Sequence, residues 1–228
     1  MPLLLLIDTS TTLCSVAIAR NTSIIAQHEC DGDFKHAELL TTFIQNVCTD
    51  AGCTLAEINA VVISKGPGSY TGLRIGVSTA KGIAYALNKP LIAINTLQAM
   101  AQTVSATLAT TQHNLCAMID ARRMEVYDLI MDNTGAIVKQ TTAQIVEADS
   151  YNDYNSLPFY YFGNGAAKCA DALSANNNTH FIPNIKTHAS NMLTLALTKY
   201  QAQEFENVAY FEPYYLKEFV AGKKKEVS

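Results

Sequence analysis

The stretch Ser64 to Leu87, SKGPGSYTGLRIGVSTAKGIAYAL, constrains the fold of this chain more than any other. A short β-branched run, Ala60-Val61-Val62-Ile63, precedes it at strand length, and about four turns of helix follow, closed by Asn88 and Pro90. The joint, Gly66 to Gly72, places glycines where a strand turns sharply into a helix, with Ser69 or Thr71 available as N-cap. Free N–H groups at such a helix start favour an anion, but neither familiar phosphate pattern fits. The third glycine of G-x-G-x-x-G comes one residue late, and the next strand, Leu91 to Ile94, ends on Asn95 rather than an acid. Gly72 is followed by Leu73-Arg74, where a Walker loop needs lysine and a hydroxyl. A tight turn with no ligand fits the spacing equally well.

The helix carries a ridge of small residues, Gly72, Gly76, Ala80 and Ala84, beside an apolar face that includes Leu73, Val77 and Leu87. Glycine inside a helix costs roughly 0.5–1 kcal/mol relative to alanine, so Gly76 implies a close neighbour. That neighbour is either the chain's own sheet or a helix of another subunit. A second amphipathic helix, from about Phe34 to Ala51 with Asp33 as its cap, presents Leu39, Leu40, Phe43, Ile44 and Val47 on one face. Together the two helices carry more apolar and small residues than one sheet face needs. An interface set therefore reads Leu40, Phe43, Val47, Gly72, Leu73, Gly76, Val77, Ala80 and Ala84.

With 228 residues, 49% of them hydrophobic, the chain can bury one large core or two lobes. No apolar run approaches the roughly 18–20 residues of a membrane span, and Leu3-Leu4-Leu5-Leu6-Ile7 reads as a buried strand rather than a leader. Six scattered cysteines without a C-x-x-C pair read as reduced thiols in a cytoplasmic protein. A net charge of −4 argues against a self-sufficient RNA-binding domain, and the basic run Lys223 to Lys225 reads as a solvated end.

Strands are expected at Leu3–Asp8, Leu13–Arg20 and Ser23–Glu29, then at Ala60–Ile63 and Leu91–Ile94, with a helix from about Leu97 to Leu108 closing a first lobe over residues 1–108. The order then restarts with strands at Leu115–Asp120, Met124–Met131 and Ala136–Gln140. Helices near Ala166–Leu173 and Ser190–Gln203 complete a reduced second lobe over 109–228. The expected fold class is α/β with duplicated βββαβα lobes.

The run GPGSYTGLRIGVSTAKGIAYAL, with LLLLIDTSTTLCSVAIA, FKHAELL and IDARRMEVY, resembles the TsaB (YeaZ) family, and the two-lobed order resembles the actin, Hsp70 and sugar-kinase superfamily to which that family belongs. The resemblance implies a subunit of the bacterial machinery that transfers a threonylcarbamoyl group to N6 of adenosine 37 in tRNAs reading codons that begin with adenine. It implies pairing through lobe one with a TsaD-like catalytic subunit, a TsaE-like ATPase in the same complex, a homodimer when alone, and only indirect contact with tRNA.

In the superfamily each lobe offers an acid-led hairpin turn to phosphate and metal. Here the first is Asp8-Thr9-Ser10-Thr11-Thr12, and the second, Asp120-Ala121-Arg122-Arg123, places two cations where small residues are usual. Asp8, Ser10, Thr11 and Arg122 thus form a vestigial nucleotide or anion site. No intrinsic cofactor is expected, with ATP or ADP and Mg²⁺ confined to the complex interface. His36 has Leu40 four residues on, so the H-x-x-x-H metal site of the TsaD-like relative is absent, and no G-x-S-x-G elbow is present. The leading expectation is a non-catalytic scaffold. The rivals are an autonomous ATP-binding kinase or ATPase, motivated by the Asp8 turn, and a peptidase acting on its partner.

Overall fold

The computed structural model describes residues 2–32, 35–108 and 112–217. Two five-stranded sheets organise it. The first is ordered β3-β2-β1-β4-β5, from strands Leu3–Asp8 (β1), Leu13–Arg20 (β2), Ser23–Asp31 (β3), Ala60–Gly66 (β4) and Leu91–Asn95 (β5). The second is ordered β10-β9-β6-β7-β8, from Asn114–Asp120 (β6), Glu125–Asp132 (β7), Ile137–Ile145 (β8), Phe159–Phe162 (β9) and Thr179–Ile182 (β10). In each sheet an antiparallel meander supplies three strands, and its first strand also pairs in parallel with a later one: β1 with β4, and β6 with β9. The duplicated unit read from the sequence is present.

β1 is central and buried on both faces, which is why LLLLID is apolar without alternation. Leu5, Ile7, Val16, Ile18, Val61 and Ile63 face helices α1 (His36–Asp50) and α2 (Tyr70–Ala86). Leu4, Leu6, Ala17, Val62 and Ile94 face the opposite way, toward α3 (Thr96–Ser105) and α5 (Leu193–Gln201). Helix α3 is shared: Leu97, Met100, Ala101 and Val104 pack on Leu115, Ala117 and Ile119 of β6. Asn95 marks the switch, because its Oδ1 accepts from the Leu97 and Gln98 N–H groups and caps α3 while its Nδ2 donates to Thr141 of β8 at 3.0 Å.

Three differences from the sequence reading stand out. The helix expected to complete the second lobe instead returns to the first sheet, where Ala189, Met192, Leu193 and Ala196 cover Leu4, Leu6 and Ala17. The helix near residue 166 shrinks to a 3₁₀ turn and α4 (Ala170–Leu173). Strand β10 carries no periodicity to announce it. The expected cap Asp33, the helix start at Phe34 and the run Lys223 to Lys225 lie outside the described residues.

Candidate functional site

The first hairpin turn is the centre of the site. Asp8 ends β1, and its Oδ1 accepts from the Ser10 N–H at 2.9 Å and the Ser10 hydroxyl at 2.6 Å. Thr9 points the other way and donates its hydroxyl to the Gly72 carbonyl at 2.8 Å. The Ser10 carbonyl accepts from Ser69 N–H at 2.7 Å, and the Thr11 carbonyl accepts from His36 Nε2 at 2.7 Å. Thr11 and Thr187 share a hydroxyl bond of 2.7 Å. The turn is thereby enclosed between the starts of α1 and α2 and the 187–189 segment, and Thr9 and Ser10 are fully buried.

Glycine makes the enclosure possible. A Cβ on Gly72 would lie 2.1 Å from the Thr9 carbonyl oxygen, and one on Gly76 would lie 2.1 Å from the Thr9 hydroxyl. The small-residue ridge therefore packs on the chain's own first turn and sheet. This corrects the expectation of a partner there: Leu40, Val47, Gly72, Leu73, Gly76, Val77, Ala80 and Ala84 are all buried within the chain, and of the interface set only Phe43 retains partial exposure.

The outward faces of the two helices look different. Helix α1 exposes Ala37, Thr41, Thr42, Gln45 and Asn46, with Glu38 and Asp50 near its ends. Helix α2 exposes Thr71, Arg74, Ser78, Gly82, Tyr85 and Ala86, and its other charge, Lys81, is half-buried. Lys81 is turned to the 209 and 211 carbonyls. Half-buried Phe43, Ile75 and Ile83 lie between. A helix pair whose outer surface carries three exposed charges, Glu38, Asp50 and Arg74, among mostly small and uncharged side chains is less charged than an ordinary solvated layer.

Burial raises the pKa of Asp8 above its ordinary 3.8, with the Ser10 hydrogen bonds pulling the other way. The unfolded chain then loses this proton first as pH rises. Asp8 stabilises the fold fully only below about pH 4, and that contribution is lost as pH climbs through the folded pKa. Asp8→Asn keeps an oxygen for both Ser10 donors and removes the dependence. We expect it to match the wild type near pH 3 and to exceed it in urea melts near pH 7. A variant weaker at neutral pH would show instead that the carboxylate is needed as a charge.

A narrow cleft of about 60 Å³ opens beside the turn, between Thr11, Thr12 and Asp31 on one side and Asn164, Lys186 and Thr187 on the other. Nucleotide-sized sites enclose roughly 300 Å³ or more. Asp31 is drawn below the usual carboxylate range by Lys186 and Thr12, which bond its two oxygens. Asn164 also accepts from the Asp120 N–H at 3.1 Å and so ties the second hairpin turn to the cleft. In that turn Lys168 pairs with Asp120 and donates to the Glu125 carbonyl. Of Asp8, Ser10, Thr11 and Arg122, Thr11 alone lines this cleft. Lys168, Asp31 and Thr187 were not foreseen, since each is a lone polar residue whose neighbours come from distant segments.

Among the described residues no three His, Cys, Asp or Glu side chains gather as a metal site requires, and no helix is long and apolar enough to cross a membrane. His28 bonds Asp50, His36 the Thr11 carbonyl and His188 Glu29, so these imidazoles are engaged with neither serine nor cysteine. Burial pushes the Cys14 and Cys48 thiols up to about 11, away from the thiolate a nucleophile needs.

A family model described as TsaD, tRNA N6-adenosine threonylcarbamoyltransferase, matches residues 32–225. The TsaB protein of tRNA threonylcarbamoyladenosine biosynthesis from Escherichia coli is 30% identical over 232 residues, 97% of each chain. The solved structure of YeaZ from Pseudomonas aeruginosa superposes with a TM-score of 0.83 at 26% identity, covering 95% of this chain and 100% of that one. Component A of the (R)-2-hydroxyglutaryl-CoA dehydratase of Acidaminococcus fermentans, at 10% identity and a TM-score of 0.53, is similar in fold alone.

Proposed function

This chain belongs to the TsaB (YeaZ) family and takes part in the synthesis of tRNA threonylcarbamoyladenosine, and from that premise we propose that it acts there as a non-catalytic subunit docking α1 and α2 onto a TsaD-type transferase. The observation carrying this reading is the outer face of the helix pair, built mostly of small and uncharged residues, with Glu38 and Asp50 toward the ends of α1 and Arg74 as the one exposed charge of α2. Docked helices place such faces against each other, where buried charge would be costly. The same face supports self-association when the transferase is absent, and a TsaE-type ATPase joins the assembly elsewhere. The closed Asp8 turn favours placing ATP or ADP with Mg²⁺ at a subunit junction rather than within this chain. Six unbridged thiols fit a cytoplasmic setting.

Gly82 offers a clean test, because a side chain added there meets nothing within 4 Å in the chain. Gly82→Arg is expected to leave the thermal melt unchanged or slightly raised, as helix propensity favours arginine over glycine, and to weaken association with the TsaD-type subunit at least tenfold by sedimentation. Tight association of the arginine variant would exclude this face as the docking surface. Threonylcarbamoyl transfer at full rate without this chain would remove the scaffold role altogether.

A further inference from the structure

The turn joining β6 to β7 has an unusual construction. Arg122 and Arg123 both lie in the left-handed region, with φ of 73° and 49°, where side chains other than asparagine, aspartate and glycine are uncommon. The conformation is held by the Arg122 N–H, which donates to Asp120, and by the Glu125 N–H, which donates to the Arg122 carbonyl. The acids that would neutralise the two arginines are already engaged: Lys168 pairs with Asp120 and Lys217 with Glu125. Both arginines are exposed, and among the described residues neither guanidinium has a hydrogen-bond or ion-pair partner.

The Lys217 pair ties this turn to a second feature. Two residues before Lys217, the exposed Tyr215 ring lies on Tyr70 with centroids 4.7 Å apart, and the Arg74 guanidinium sits 5.5 Å from the Tyr70 centroid. The strand of chain carrying Tyr215 is anchored by the Tyr214 N–H to the Lys65 carbonyl at 2.7 Å. Cations outnumber the nearby acids Asp120, Glu125 and Glu212 along this band, on a chain whose net charge is −4. Guanidinium groups free of partners bind phosphate oxygens, and a rigidly held exposed tyrosine stacks on an unpaired base.

We infer that, in place of the indirect contact the family resemblance implies, the band from Arg122 and Arg123 through Lys217 to Tyr215 binds the phosphate backbone of the tRNA substrate beside an unstacked base. The inference rests on the family's tRNA chemistry and not on the docking of α1 and α2. Arg122→Gly combined with Arg123→Gly removes both charges and puts glycine where φ is positive, so the turn keeps its shape. The probe is unmodified tRNA, read by fluorescence anisotropy from about 20 to 200 mM salt, with the full chain alone and mixed with its TsaD-type partner. We expect the double variant to bind roughly tenfold more weakly near 100 mM salt, with the slope of log K against log salt shallower by about two. Sedimentation of the variant with the partner should be unchanged, which separates this inference from the docking reading. Tyr215→Leu should weaken binding of single-stranded RNA while sparing duplex RNA. Unchanged affinity and slope in the double variant would overturn the inference, as would an absence of tRNA binding by both the chain and the mixture. Equal displacement of the tRNA by millimolar pyrophosphate at constant ionic strength would assign the arginines to a free polyphosphate instead.

Discussion

Gly76→Ala is expected to destabilise the chain by about 2 kcal/mol, while the same substitution at Gly82, less than two turns further along α2, stabilises it by about 0.5–1 kcal/mol. Alanine favours a helix at both positions, so the opposite signs must come from packing. At Gly82 the new methyl meets nothing within 4 Å. At Gly76 it would lie 2.1 Å from the Thr9 hydroxyl and 3.3 Å from Ile63 Cδ1. Thr9 has no free rotamer to retreat into, because it is fully buried and its hydroxyl is bonded to the Gly72 carbonyl. Either that bond breaks, at about 1 kcal/mol, or α2 lifts from β4 and loses the Ser69 to Ser10 bond as well. Overpacking of this kind costs about 1–3 kcal/mol, which outweighs the gain in helix propensity. Thr9→Ala removes the obstructing hydroxyl, so a double-mutant cycle between the two sites should return a coupling of about 1 kcal/mol or more. Denaturant melts of the four chains decide it. Additive effects would place the strain somewhere other than the Thr9 contact.

The same contact shows how far the sequence could be read. Strand, loop and helix at residues 60–87 were legible because β-branched residues, turn glycines and a helical apolar period follow one another without conflict. The repeat of the meander was legible because Ile7-Asp8 and Ile119-Asp120 stand alike before a second strand. The ridge Gly72, Gly76, Ala80 and Ala84 announced a close approach correctly but not what approaches. A helix period reports which residues are small and says nothing of the element opposite, here Thr9, more than sixty residues earlier. Asp8, Ser10 and Thr11 were grouped by adjacency alone. That their turn is closed over could not be seen, since the enclosing atoms come from Ser69, His36 and Thr187. The return of α5 to the first sheet was invisible for a similar reason: its apolar face fits either sheet, and only the filled volume between α3 and β1 selects one.

The second sheet depends on a charged group in its core, and Asp128→Ala is expected to remove about 3–5 kcal/mol of stability. Asp128 is fully buried on β7. Its Oδ2 accepts from the Lys139 ammonium at 2.5 Å and from the Tyr151 hydroxyl at 2.8 Å, and its Oδ1 accepts from Thr142 at 2.9 Å. Lys139 also lies 5.3 Å from the Tyr151 ring centroid. Alanine would remove the acceptor that three donors share and leave an ammonium, whose side chain is only 16% exposed, with a long 3.4 Å bond to Gln144 beside an apolar cluster of Cys116, Val126, Ile130 and Phe159. For a chain of this length the loss corresponds to a fall in melting temperature of roughly 6–20 °C. Asp128→Asn keeps an oxygen for Thr142 or Tyr151 but not the ion pair, so it should fall between the wild type and alanine. Tyr151→Phe removes one donor and leaves the carboxylate bonded to Lys139 and Thr142, at about 1 kcal/mol. If the penalty in Asp128→Ala comes from the stranded cation, pairing it with Lys139→Met should recover most of the loss, because apolar replacement of a buried ion pair is close to neutral. Thermal melts of the single and double variants test this, and a double variant no more stable than Asp128→Ala would assign the loss to Tyr151 and Thr142 instead of the ammonium.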